Sequence, residues 1–160
     1  MCIRDRHHLA QINIAHMKGV NLDDPIMIGF SSRIDEINQI AEQHDGFIWR
    51  LKDESGDATN FNPFDNDQLI INMSVWRDVS SLHNYVYQSL HKELIRGKNE
   101  WFKKLGRPHM AMWWIEGGHI PTLVEAKEKL TLINKLGATV DSFDFKHLYS
   151  QIGQKITHER

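Results

Sequence analysis

The chain has 160 residues, 41% of them hydrophobic and 25% charged, with a formal net charge of -2, the balance of one soluble globular domain with a single core. So small a charge leaves no basic footprint for nucleic acid or an anionic membrane, and no apolar run approaches the roughly 18–20 residues of a membrane-spanning helix. One cysteine, Cys2, excludes an intramolecular disulfide and a cysteine-based zinc site; without a signal-peptide pattern the expected location is cytoplasmic.

Met1–Arg6 resembles a translated sequencing adaptor, so residues 1–7 are expected to be a non-native leader, 8–148 a single domain and 149–160 a frayed tail. Residues 8–16 read as a first strand, with Ala10, Ile12 and Ile14 alternating with Gln11 and Asn13. Asp24-Pro25 is a helix start: the carboxylate takes a free N–H, and proline has none to waste. Ile26, Phe30, Ile34, Ile37 and Ala41 continue it at helical spacing until His44-Asp45-Gly46. Phe47–Leu51 is a second strand, and 53–68, rich in Asp, Asn, Gly and Pro, is a loop. Leu69–Trp76 is a third strand. A second helix runs from Val79 to Gly97 on a stripe of Leu82, Val86, Leu90 and Leu94, and Asn99–Lys104 adds a short turn. His109–Glu116 is a fourth strand. Thr122, with Glu125 three residues on, opens a third helix that Gly137 ends. Phe143–Leu148 reads as a short extended segment.

The order β-α-β-β-α-β with an extra C-terminal helix is the split βαβ, ferredoxin-like arrangement of an α+β domain with an antiparallel sheet. The long crossovers suit parallel pairing of strands one and two, and of three and four, through a helix. In the fourth strand Met110, Met112 and Trp114 point one way and Ala111, Trp113 and Ile115 the other, so both faces should be buried. The domain's own helices cover one face. A second copy of the sheet would cover the other by two-fold symmetry, which makes a homodimer the expectation; the alternative is that the third helix and the tail cover it.

Phe47-Ile48-Trp49-Arg50-Leu51, Gly56-Asp57-Ala58-Thr59, Asn72-Met73-Ser74-Val75-Trp76, Tyr85-Val86-Tyr87 with Ser89 and His91, and Trp113-Trp114 followed by Gly118-His119-Ile120-Pro121-Thr122 and Glu125-Ala126 stand in this order along residues 8 to 147. Together they resemble an uncharacterised bacterial domain family of the dimeric α/β-barrel superfamily, distantly similar to antibiotic-biosynthesis-type and spheroidene monooxygenases. The resemblance implies a dimeric α/β barrel. Its superfamily relatives include cofactor-free monooxygenases, haem-dependent enzymes and lactone isomerases, and a fold does not choose between them.

Asn72 and Ser74, polar on a central strand, should be buried and need partners. Asn72 would orient a carbonyl or dioxygen-derived group and Trp76 would stack on a flat ligand; otherwise they are a satisfied structural Asn and a core Trp. Arg50 would hold a carboxylate, phenolate or propionate, or else pair with a loop acid such as Asp57. His91, four residues after Tyr87, is a candidate acid–base or haem ligand, though most helix-flank histidines are neither. His119 would close a pocket mouth or bond its turn backbone. Trp49, Trp101 and Tyr87 complete an aromatic wall, with core filling as the alternative. No zinc-protease pair, phosphate-binding glycine loop or nucleophile elbow occurs, so no metal is expected unless His91 carries haem, and the cofactor is none or haem.

The reading is therefore a monooxygenase-like or isomerase-like enzyme acting on a flat hydrophobic small molecule, with Asn72, His91 and Arg50 as catalytic residues and Trp49, Trp76, Tyr87, Trp101 and His119 against the ligand. The alternatives are a non-catalytic small-ligand or haem-binding protein, and a structural or interaction dimer with no open pocket.

Overall fold

The computed structural model of the protein describes residues 7–19, 24–51, 69–88, 101–103, 109–150 and 155–156. Strand β1 is His7–Met17. A 3-10 turn, Pro25–Met27, leads into α1, Ile28–Ser31, and α2, Ile34–Gln43. Then come β2 (Phe47–Arg50), β3 (Leu69–Trp76), α3 (Val79–Gln88), β4 (Phe102–Lys103), β5 (Met110–Glu116), α4 (Leu123–Leu136) and the pair β6 (Leu148–Tyr149) and β7 (Lys155–Ile156).

Local chemistry sets the helix starts. Asp24 caps the first turn by accepting from the Ile26 N–H at 3.1 Å, with Pro25 at the first position. Thr122 caps α4 by accepting from the Glu125 N–H at 3.1 Å, and Gly137, at φ 72°, ends it. Asp78 takes the Ser81 N–H at 2.8 Å at the start of α3. The helix read as continuous from Pro25 breaks at Ser32-Arg33, giving α1 and α2.

Strand β1 is the middle of the sheet. It pairs with β3 from Leu9↔Trp76 to His16↔Leu69, and on its other side with β5 from His7↔Glu116 to Asn13↔Met110. The short β4 follows β5 along that side at His16 and Met17, and β2 adds to β3. Every pair is antiparallel. The strands joined by long crossovers do not pair: β3 lies between β1 and β2, and β1 between β3 and β5. Leu148–Tyr149 pairs with Lys155–Ile156, so two strands lie at the edge of and within the segment read as a frayed tail.

Two apolar layers sandwich the sheet. On one face Ala10, Ile12, Ile14, Ile71, Met73, Val75, Ala111, Trp113 and Ile115 pack under Ala126, Leu130 and Ile133 of α4. On the other, Leu9, Trp76 and Met112 pack under Ile37 and Ala41 of α2, Leu82 and Tyr85 of α3, and Phe143 and Leu148 of the C-terminal segment. Phe143 also exchanges two backbone hydrogen bonds with Met112, at 2.7 and 2.9 Å, which lays that segment along β5.

This arrangement overturns the expected dimeric α/β barrel of ferredoxin-like βαββαβ units. The fold is α+β with an antiparallel sheet, but the sheet is open and not closed into a barrel. The face that a second sheet would cover is taken by α4. Both apolar faces of β5 are covered by the chain itself, one by α4 and the other by α2, α3 and the C-terminal segment. The expectation of a homodimer drew its ground from an uncovered face, and that ground is gone.

Candidate functional site

The residues of β1 and β3 that face α2 and α3 are not apolar throughout. Reading along β1, Leu9, Gln11, Asn13, Ala15 and Met17 lie on this face, opposite Trp76, Ser74, Asn72 and Ile70 of β3. The ends of this row are apolar and the middle is polar. Gln11 and Ser74 are buried, at 5% and 6% exposure. Asn72, expected to be buried, is exposed, so the polar middle forms an open shelf rather than a sealed core.

Gln11 organises this middle. Its Nε2 donates to Asn72 Oδ1 and to Ser74 Oγ, both at 2.7 Å. Ser74 Oγ also accepts from Trp76 Nε1 at 2.8 Å. Burial of an amide and a hydroxyl is tolerated because each has partners. Arg50 is the direct cross-strand neighbour of Ser74 and pairs with Glu42 of α2 at 3.0 Å, its side chain only 13% exposed.

Aromatic groups flank the polar middle. At one end Trp76, fully buried, stacks on Tyr85 at 5.0 Å and meets Phe47 and His44 edge-on. Burial pushes the Tyr85 hydroxyl up to about 12 despite the Arg50 charge nearby. It therefore stays a neutral phenol at physiological pH, and it donates to the Ile37 carbonyl at 3.5 Å. At the other end Trp101 and Phe102 meet Phe30 of α1 at 5.9 and 5.0 Å. Gly29 permits that approach, since a Cβ there would sit 2.9 Å from the Trp101 ring.

Of the residues singled out from sequence, Arg50, Asn72 and Trp76 share this face, and Trp101 packs on the same apolar layer. Trp76 lies beneath the shelf and holds Ser74. Trp49 packs on the opposite face, under α4. Tyr87 is 45% exposed and contacts His83 and Phe145. His91 lies outside the described residues.

His119 belongs to a second network on the α4 side. Its Nε2 meets Glu125 Oε1 at 2.8 Å, while Glu125 Oε2 accepts from the buried Trp113 Nε1 at 2.7 Å. Burial alone would raise the Glu125 pKa, but the hydrogen bonds from His119 and Trp113 hold it below the ordinary carboxylate value. Glu125 thus ties the turn after β5 to the start of α4. The capping-box pattern finds its Thr122 half, and the carboxylate turns to the indole and imidazole instead.

Gln11 and Tyr85 were not marked as site residues from the sequence. Gln11 was visible there only as a polar member, with Asn13, of the alternating pattern of the first strand. Among the described residues no group of three or more His, Cys, Asp or Glu is placed to hold a metal ion. A depression of about 570 Å³ lies on the outer surface of α4, between residues such as Val124, Lys127 and Thr131. None of its lining residues belongs to either polar network, and the hydrogen-bonded geometry rather than the hollow marks the candidate site.

Residues 8–159 match a family described as a domain of unknown function, DUF3291. No curated protein matches the chain. A solved structure, the NE2512 protein of unknown function from Nitrosomonas europaea, is similar at 11% identity and a TM-score of 0.46 over 74% of this chain and 98% of its own.

Proposed function

Because the chain belongs to the DUF3291 family, whose description assigns no activity, we propose from the geometry of the sheet that it binds a flat hydrophobic small molecule on the shelf around Asn72 and acts on it in a monooxygenase-like or isomerase-like way. One observation carries the reading: hydrogen-bonding groups, Gln11, Asn72 and Ser74 with Arg50 alongside, interrupt a face otherwise built of apolar and aromatic side chains, and Asn72 is exposed there. A site with a few placed polar groups among aromatic walls fixes a ligand's orientation.

Chemistry there would proceed by positioning. A substrate carrying a CH2 group conjugated with a carbonyl loses one proton to solvent and becomes an enolate. In the monooxygenase-like case dioxygen is the oxidant: the CH2 becomes a carbonyl holding one oxygen atom, and the second oxygen leaves as water with the two hydrogens. In the isomerase-like case the proton returns at another carbon. The monooxygenase branch rests on the motif resemblance, and a haem branch would rest on His91.

The test is oxygen uptake and product formation with a panel of flat anthrone-like ketones. Asn72→Ala is expected to abolish turnover while leaving the melting temperature near that of the parent. Turnover that survives this substitution would remove the site.

A second reading is binding without turnover. It is favoured by the composition of the shelf, where Gln11, Asn72 and Ser74 do not titrate and Tyr85 is pushed up to about 12. Saturable ligand binding with no product would decide for it.

A further inference from the structure

The direction of each hydrogen bond on the shelf limits what can sit on it. The Gln11 amide has two hydrogens, and both are used: one on Asn72 Oδ1, the other on Ser74 Oγ. The Asn72 carbonyl oxygen is therefore held against β1, and its NH2 group is left as the polar end turned to solvent on this exposed residue. The Ser74 hydroxyl receives hydrogens from Gln11 and from the Trp76 indole, so its own hydrogen must point away from both. Among the described residues nothing accepts from the Asn72 amide or the Ser74 hydroxyl. Both groups left over are donors, the Asn72 amide on an exposed residue and the Ser74 hydroxyl on a buried one.

We propose that the shelf is a donor-lined seat for an aromatic carboxylate, and that Gln11 is the positioning residue that sets this polarity. The inference rests on the small-molecule reading above and names its ligand class. A carboxylate accepts several hydrogen bonds and donates none, and charge-assisted bonds to it are shorter and stronger than neutral ones. An ammonium group, which only donates, gains nothing from these two donors. The Arg50 guanidinium opposite Ser74 has the same preference in sign, its charge shared with Glu42. The half-buried Phe30 and Trp101 rings at the far end of the row match a flat ring in the ligand.

The experiment is calorimetric titration of the full chain with naphthoate and with naphthylmethylamine, which share a ring system and carry opposite charges at neutral pH. Naphthoate is expected to bind at least about tenfold more tightly, roughly the difference one charge-assisted hydrogen bond makes. Gln11→Glu keeps the shape but replaces the double donor by an acceptor, so the Asn72 amide and the Ser74 hydroxyl turn inward to donate to it. Naphthoate affinity should fall at least about tenfold. Asn72→Asp, at an exposed position that keeps its bond from Gln11, serves where the buried substitution fails to fold, and it should reverse the preference in favour of the amine. A purely structural role for Gln11 would lower stability without changing the ratio of the two affinities. Equal binding of both probes, or an unchanged ratio in the variants, overturns the polarity assignment while leaving a small-molecule site. Binding of neither probe overturns both.

Discussion

Gln11 and Asn72 are joined across adjacent strands by a 2.7 Å hydrogen bond although they are not register partners: Gln11 lies opposite Ser74, and Asn72 opposite Asn13. The bond is diagonal, and the Gln11 amide spans it while also reaching the residue directly opposite. One buried side chain thus holds two polar groups of the neighbouring strand in fixed orientation.

Ser74 and Asn72 should respond differently to truncation. Ser74→Ala leaves the fully buried Trp76 indole N–H and one Gln11 N–H without an acceptor. A cost of about 1–3 kcal/mol per unsatisfied buried group is expected, seen as a lower urea midpoint. Asn72→Ala, at an exposed position, should cost below about 1 kcal/mol. A larger loss from Asn72→Ala than from Ser74→Ala would contradict the bonding pattern.

Glu125 makes part of the stability depend on acid. Its folded pKa lies below the ordinary value of 4.5, so its contribution is present above that value and is lost as pH falls through the folded one. Denaturation measured from neutral to acid pH should show the parent losing its advantage over Glu125→Gln in that range. The same variant should change Trp113 emission at neutral pH, because the indole N–H bonds to this carboxylate.

Tyr85 has the opposite sense. Its folded value of about 12 exceeds the ordinary 10.0, so the buried neutral phenol stabilises fully below the ordinary value. That contribution is lost as pH rises through about 12. In an ultraviolet alkaline titration the last phenol to ionise should be Tyr85, and Tyr85→Phe should delete that phase. A phase near 10 lost in its place would mean that the ring is not packed against Trp76 as described.

Two glycines with positive φ should differ in tolerance. Gly46, at φ +88°, has no room for a Cβ, which would run into the Ser81 side chain. Gly118, at φ +92°, has nothing within 4 Å of that position. Gly118→Ala should cost about 1 kcal/mol for the backbone conformation alone. Gly46→Ala adds the clash and should cost several-fold more, of order 3 kcal/mol. Thermal melts of the two variants check the ranking.

Much of the architecture was legible in the residues because it is local. Alternation in β1, β3 and β5, the Asp24-Pro25 start and the Thr122 cap depend on side chains within a few positions of one another, and each falls where the pattern put it. The apolar character of both faces of β5 was equally plain. The sequence alone did not show what covers each face, because an apolar face specifies a need for cover and not its source. The position of α4 against β1 and β5 decided that, and with it the open sheet in place of a barrel. The site divides in the same way. Asn72, Arg50 and Trp76 could be picked out as polar or aromatic residues on strands. Trp49 and His119 belong to the opposite face, a matter of which side each strand presents once the sheet is assembled. Gln11 shows the limit best. Its alternation with Ala10 and Ile12 looks like a strand with one side in water, and only the central place of β1, between β3 and β5, turns Gln11 into a buried hydrogen-bonding centre. Periodicity is written in the chain, whereas burial depends on which distant elements come to lie over it.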